Sequence, residues 1–298
     1  VPETIMDGPK IKAIAPWFGG KRTLGETIAA EFGPHRAYWG LCCGSLAVEF
    51  AKEPATMEVC IDMHGDLTNL AFVLKEEPLA VDLYSRLGRT LLSREIFLKS
   101  ADVIRNEPSP AGEASPNVDR AYHYFVVSWF GRNGVAGTSN YNAGFCMRYT
   151  KNGGHAATRF TSAVDSIPAW HCRLKAVTIV RDDIFKHLPR IEDADGVVIY
   201  IDPPYLVKGA KYLHDFEASH HVQLAKECQR FKKTRVVVSY YADPRLKEMY
   251  PEWTVRRLKA SKALVNQGMR DAGGAVEAPE VLLINGPSLV EASSGDLF

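Results

Sequence analysis

The chain reads as an α/β protein built on a doubly wound, mainly parallel sheet, with a mostly helical segment inserted into it. Short β-rich apolar runs recur at 57–62, 176–180, 197–202, 234–240 and 280–285. Helix-like stretches, such as Ser45 to Lys52 and Ala218 to Lys232, lie between several of them. Strands alternating with helices favour parallel pairing through crossover connections. The run VVIYID at 197–202 is apolar up to its final Asp, as a strand covered on both faces should be, and two prolines stop it. From Ala71 to Arg159 the pattern changes: an amphipathic stretch from Pro78 to Asn106, a Pro/Ser/Gly-rich loop at 107–116 with the composition of a mobile segment, then aromatics among Gly and Asn. The expected organisation is a sheet-bearing part of residues 1–70 and 160–298, with an insertion at 71–159. A second irregular stretch, 265–279, separates the last two runs and suits an antiparallel hairpin.

At 298 residues, with 46% hydrophobic and 24% charged side chains, the composition is globular and excludes a disordered, collagen-like or coiled-coil chain. No apolar run approaches the roughly 20 residues of a membrane span, and the N-terminus lacks a secretory pattern, so a soluble cytoplasmic protein is expected. The six cysteines, at 42, 43, 60, 146, 172 and 228, form no CxxC pair and read as reduced thiols without structural zinc. Among nine histidines no HxxxH or HExxH occurs, and there is no GxSxG elbow, so neither metal catalysis nor a serine nucleophile is indicated.

The net charge of +1 is a cancellation. Residues 41–80 carry seven acids and two bases, 120–190 ten bases and three acids, and 230–270 eleven bases and three acids. Two basic blocks far apart in sequence suit a surface assembled to follow a phosphate backbone. Within 120–160 five bases and no acid are interleaved with Tyr122, Tyr124, Trp129, Phe130, Tyr141 and Tyr149. Tyr122, Phe125, Val126 and Trp129 share helical spacing and read as core. Arg132, Asn133, Arg148, Lys151 and Arg159 read as contacts to nucleic acid.

The most informative string is IDPPY at 201–205. Ligands of open α/β sheets gather beyond the C-terminal ends of strands, where both Asp62 and Asp202 stand. Pro203 and Pro204 fix the backbone and leave carbonyl oxygens free to accept, Asp202 adds a carboxylate, and Tyr205 adds a flat ring. Such a set suits a planar substrate with an exocyclic amino group: oxygens hold the two amino hydrogens while the ring stacks. The ring face, and not the hydroxyl, is the part of Tyr205 expected to matter.

DPPY resembles the catalytic motif of the adenine-specific, amino-group DNA methyltransferases, and the block order resembles their Dam-like class. PWFGGKR (16–22) is similar to the family stretch that contacts S-adenosylmethionine, which implies that role for Trp17 and Lys21. YWGLCCGSLAVEF (38–50) resembles the family's Y-x-E-P-F-x-G-x-G-A, placing Cys43 and Gly44 at the cofactor. CIDMHGDLTNL (60–70) resembles the ribose-binding D-x-N-x-x-L, with Asp62 as its acid, 18 residues beyond Gly44 (62 − 44). RDDIF matches the Asp-Phe near the cofactor adenine through Asp183 and Ile184, with Asp182 as the competing choice. EVLLIN (280–285) resembles the closing E-V-L-I-x-N strand, and YNAGFCMRY (141–149) the target-recognition stretch, through Tyr141, Asn142 and Arg148. GRNG (131–134) is a second match for the same Asn-Gly turn.

The resemblance implies a Rossmann-like methyltransferase fold with a DNA-recognition insertion. The implied reaction is methyl transfer to the 6-amino group of a flipped-out adenine in double-stranded DNA, with S-adenosylmethionine as donor and no metal. Asp202, Pro203, Pro204 and Tyr205 would form the catalytic loop. The implied setting is a bacterial or phage-like monomer, associated with the nucleoid through DNA and serving tasks such as restriction–modification. The glycine stretch departs from the pattern, since Gly40, Cys42 and Leu46 stand where the acid, the aromatic and the second glycine belong. Methylation of the 4-amino group of cytosine, or DNA binding with impaired catalysis, are the alternatives. A nicotinamide-binding reading fails because no G-x-G-x-x-G follows a strand.

Overall fold

A computed structural model describes residues 9–17, 19–109, 115–131, 144–147, 155–206, 214, 216–258, 260–261, 277–278 and 280–290. In chain order the elements begin with α1 (Gly25–Ala29), β1 (Ala37–Leu41), β2 (Met57–Ile61) and α2 (Gly65–Lys75). Then come α3 (Glu77–Gly88), α4 (Arg94–Asn106), α5 (Val118–Phe130), α6 (Ala156–Val164), α7 (Ile167–Leu174), β3 (Val177–Val180) and α8 (Ile184–His187). The chain continues through β4 (Val197–Ile201), α9 (Ala218–Cys228), β5 (Arg235–Tyr241), α10 (Arg245–Met249), β6 (Thr254–Arg257), β7 (Ala260–Ser261), β8 (Glu277–Ala278) and β9 (Glu280–Ile284).

Seven strands form one sheet in the order β3-β2-β1-β4-β5-β9-β6. All pairs from β3 to β5 are parallel, while β9 runs antiparallel to both β5 and β6. The chain winds outward from β1 to β3, then returns to β4 on the other side of β1 and winds the opposite way. That reversal opens a crevice beyond the C-terminal ends of β1 and β4. All five residues of β4 are buried, which explains the unbroken apolar run, because helices cover both faces of a central parallel strand.

The sequence reading missed two strands of this sheet. Short β1 (AYWGL) is interrupted by Gly40, and β6 (TVRR) is a polar edge strand, whose outer face tolerates charge. Conversely, Ser45 to Lys52 forms turns and not a helix. Positive φ at Cys42 (55°), Gly44 (51°) and Leu46 (62°) coils the loop instead.

The amphipathic stretch from Pro78 becomes α3 and α4, each started by local chemistry: a proline in the first turn of α3, and the Ser93 hydroxyl accepting the Glu95 and Ile96 N–H groups of α4. These helices pack with α2 and α5 against the sheet, and Tyr124, Phe125, Trp129 and Trp170 share one core with Tyr38 and Cys60 of the strands. Burial of such large side chains contributes roughly 2–3 kcal/mol each. Arg120 is part of this scaffold: Nε and Nη2 donate to Asp66 Oδ1 and Oδ2 at 2.7 and 3.0 Å, tying α5 to α2. The division expected at residue 70 falls inside α2. No helix among the described residues is long and apolar enough to cross a membrane.

Candidate active site

The strand ladders continue into the loops. Asp202 N–H donates to Leu41 O (3.1 Å), Cys43 N–H to Ile61 O (3.3 Å) and Asp62 N–H to Val180 O (3.1 Å). The ends of β3, β2, β1 and β4 are therefore in register, and the residues following them converge on one cavity of about 250 Å³. Trp17, Lys21, Asp62, Asp183, Ile184 and Asp202 to Tyr205 all line it. Of the cofactor residues named from sequence, Cys43 and Gly44 do not.

Cys43 is half-buried against the core and hydrogen-bonded to Cys60, so Cys42 is the cysteine that lines the cavity. Gly44 works through its backbone. Its N–H donates to Asp62 Oδ2 at 2.8 Å, and a Cβ built on it would stand 3.0 Å from Trp17 Nε1. With φ at +51° and the indole against it, the position favours glycine on both counts. Asp62 Oδ1 accepts from His64 N–H at 2.8 Å, so two backbone donors fix the carboxylate and leave each oxygen a free lone pair.

Asp182 and Asp183 are placed differently. Asp182 pairs with Lys186 (2.8 Å) and His187 (3.0 Å), which hold it far below the usual carboxylate range. Asp183 lines the cavity and caps α8 by accepting Phe185 N–H at 2.9 Å.

Around Asp202 the support comes from side chains. Lys21 Nζ lies 2.8 Å from Asp202 Oδ2, 3.0 Å from Glu280 Oε1, 2.8 Å from Tyr205 Oη and 2.7 Å from Gly19 O. Tyr205 Oη donates to Glu280 Oε1 at 2.7 Å and lies 3.3 Å from Asp202 Oδ1. Lys21 was assigned from sequence to the cofactor, yet the structure commits its ammonium to protein oxygens. Burial pulls its pKa down, but Asp202 and Glu280 overcome this and hold it well above the usual lysine value. For Asp202, burial is the largest influence; Lys21 opposes it and the Glu280 charge adds to it, leaving the carboxyl pushed up to about 6. The Tyr205 hydroxyl therefore has partners, contrary to the expectation that only the ring matters, and the ring packs edge-on to Tyr241 at 4.5 Å.

Glu280 was missed as a site residue, although it opens the EVLLIN run whose family likeness was noted. Gly19, Met63, His64, Phe185, His214, Phe216 and His220 complete the wall among the described residues and carried no spacing signal. At Gly40, the carboxyl of Glu49 fills the space of the absent acid: its Oε1 is 2.5 Å from where a Cβ would stand, and Tyr38 Oη donates to it at 3.0 Å. Burial pushes Glu49 up to about 7.

Of the residues expected to contact DNA, Arg132, Asn133, Tyr141, Asn142, Arg148 and Lys151 lie outside the described residues. Arg159 is half-buried in α6, its Nη2 donating to Trp129 O at 3.2 Å, close enough to Arg22 for the two charges to interact. No group of three or more His, Cys, Asp or Glu able to hold a metal occurs among the described residues.

No curated protein matches the chain. Among solved structures it is similar to the precorrin-8W decarboxylase of Methanobacterium thermoautotrophicum, at 12% identity over 88% of this chain and 87% of that one. The TM-score of 0.34 is too low for that likeness to bear on fold or function. The family model of the D12 class N6 adenine-specific DNA methyltransferases matches residues 17–266, from Trp17 through both strand-end carboxylates and into the second basic segment. That span is most of the sequence, and the chain belongs to this family of adenine-methylating DNA enzymes.

Proposed function

We propose that the chain transfers the methyl group of S-adenosylmethionine to the 6-amino group of an adenine flipped out of double-stranded DNA. The observation that carries this reading is one cavity at the sheet's switch point. It joins Asp62 and Asp183, from strand ends on one side of β1, to Asp202, Pro203, Pro204 and Tyr205 on the other.

The residues fit the donor. Asp62 offers two oriented lone pairs to a ribose diol, Asp183 and Ile184 suit the donor's adenine, and Gly44 lets Trp17 close against the loop. The bound donor supplies a methyl group on a sulfonium that departs as a neutral thioether, so the protein's task is orientation more than activation. Asp202 accepts a hydrogen bond from the substrate amino group and aims its lone pair at the methyl carbon. As the N–C bond forms and the C–S bond breaks, the nitrogen sheds one proton. Asp202, pushed up to about 6, is ionised near neutrality and close enough in pKa to receive that proton and pass it to water. Lys21 and Glu280 hold Asp202 in place.

The direct test is to incubate the protein with labelled S-adenosylmethionine and mixed-sequence duplex DNA, digest to nucleosides, and identify the labelled one. N6-methyladenine is expected. Label on cytosine would move the substrate, and absence of label despite measured donor and DNA binding would leave a DNA-binding protein without turnover.

A further inference from the structure

Of the polar groups in the cavity wall that the reading above leaves unused, His64 carries a buried nitrogen with no partner among the described residues. His64 is 3% exposed, and its Nδ1 accepts Leu67 N–H at 3.2 Å, capping α2. A ring nitrogen that accepts there carries no hydrogen, so in the neutral ring the hydrogen sits on Nε2. Burial holds the His64 pKa below its usual value, against the opposing pull of Asp62 and Asp66, and so keeps the ring neutral. Nε2 is buried, and among the described residues it has no partner. Its ring neighbours are Trp17 at 5.3 Å and Tyr124 at 5.8 Å, and the residue lines the cavity. A buried donor without an acceptor is costly, which makes a ligand atom the natural partner.

The position sharpens the point. His64 stands where the family stretch D-x-N has its Asn, and an Asn could cap α2 with its amide oxygen. Histidine keeps the cap through Nδ1 and adds a second nitrogen one ring-width further on. The acceptor it meets must also suit Asp62, whose Oδ1 already takes His64 N–H at 2.8 Å. An anionic oxygen would be repelled by that carboxylate, and Lys21, the one Lys or Arg lining the cavity among the described residues, is committed to Asp202 and Glu280. A hydroxyl satisfies both sides, donating to Asp62 while accepting from Nε2–H.

We infer that His64 is a ligand-binding residue whose Nε2–H donates to a ribose hydroxyl of the methyl donor, the hydroxyl's own proton going to Asp62. The inference rests on the proposal that the donor's ribose lies at Asp62. It makes the corner selective for a vicinal diol, read by one acceptor and one donor.

Two substitutions separate the two ring nitrogens. His64→Asn keeps a capping oxygen and removes the distal donor; His64→Gln places an amide N–H near the Nε2 position and loses the cap. Calorimetry would measure S-adenosylhomocysteine and its 2′-deoxy and 3′-deoxy analogues on parent and variants, with thermal unfolding of each ligand-free protein. For His64→Asn the melting temperature should stay within about 2 °C while S-adenosylhomocysteine binds about 3- to 10-fold more weakly. That loss should vanish for the one deoxy analogue that lacks the contacted hydroxyl. For His64→Gln the affinity should be nearly retained, while the melting temperature falls by about 2–4 °C.

Unchanged affinity in His64→Asn, or a loss equal for all three ligands, would overturn the inference and leave Asp62 as the ribose acid. Affinity that merely follows melting temperature across both variants would reduce His64 to a cap. A parent protein that binds no S-adenosylhomocysteine would overturn the donor site itself, and this inference with it.

Discussion

Two carboxylates stand at the ends of the parallel strands that flank β1 and are held in opposite ways. Asp62, after β2, is fixed by backbone: Gly44 and His64 N–H groups at 2.8 Å each. Asp202, after β4, is fixed by side chains: Lys21, Tyr205 and, through them, Glu280. Backbone donors carry no net charge and do not titrate, so the first arrangement suits a group whose only task is to hold a ligand. The second places a buried carboxyl between a cation and another anion, which sets its proton affinity and suits a group that must receive and release a proton. The comparison also explains which departures from the family pattern the chain tolerates. Gly40 and Cys42 lack the acid and the aromatic of the pattern and Leu46 puts a side chain in place of its glycine, but Cys42 and Leu46 both hold left-handed backbone in the loop whose Gly44 N–H meets Asp62.

Exchanging each carboxylate for its amide should split the two functions. Asp202→Asn is expected to lower kcat by about 10³-fold while leaving the affinity for S-adenosylmethionine within about threefold. Asp62→Asn should do the reverse: the donor Kd rises about 10- to 100-fold, because a charge-assisted hydrogen bond is lost and an amide N–H meets a backbone donor. Methylation at saturating donor should then recover to within about tenfold of the parent. Steady-state methylation and calorimetry on both variants decide the matter. Equal effects on kcat and Kd in the two would erase the distinction between a holding and a reacting carboxylate.

A smaller effect is expected at Tyr205, where reading from sequence and reading from structure part. From sequence the ring face is the useful part, which makes Tyr205→Phe mild. The hydroxyl in place bridges Lys21 and Glu280 at 2.8 and 2.7 Å, so its removal leaves two buried charges short of a partner. The expected cost is about 1–3 kcal/mol in unfolding free energy, with an activity loss of about tenfold. Parent-like stability and activity in Tyr205→Phe would return the role to the ring alone.

What was legible follows from how local the physics is. The DPPY loop announces itself because two prolines must follow a buried strand, and Asp62 because an apolar run ends on an acid. Glu280 joins Tyr205 across 75 residues of sequence, and nothing in the local pattern of either reveals the pair. The same holds for His64, whose cavity role depends on which nitrogen the helix cap has taken. The turn at Ser45 to Lys52 reads as helix because its composition is helical, while the left-handed residues in and before it, two of them not glycine, are invisible to composition. Cys42 and Cys43 are adjacent and alike in sequence; only the fold decides which one faces the cavity.

The most delicate consequence of side-chain support is a pH dependence at Asp202. Asp202 has its folded pKa raised from an ordinary 3.8 to about 6, chiefly by burial, with the Glu280 charge adding to the rise and Lys21 opposing it. A raised carboxyl binds its proton more tightly folded than unfolded. The stability it contributes is therefore complete below pH 3.8 and is lost as the pH climbs through about 6. Catalysis runs the other way, since only ionised Asp202 can accept from the amino group, so kcat/KM should rise with pH along an acidic limb centred near 6. Glu280→Gln removes the neighbouring negative charge while keeping an acceptor for Tyr205. The limb should then move to lower pH, by about half a unit to one unit, while the plateau above pH 7.5 changes by less than about threefold. A limb that stays in place would mean that Glu280 anchors Lys21 without tuning Asp202. A shift to higher pH would mean that weakening the hold on Lys21 outweighs the lost repulsion, and the two strand ends would then differ in partners but not in purpose.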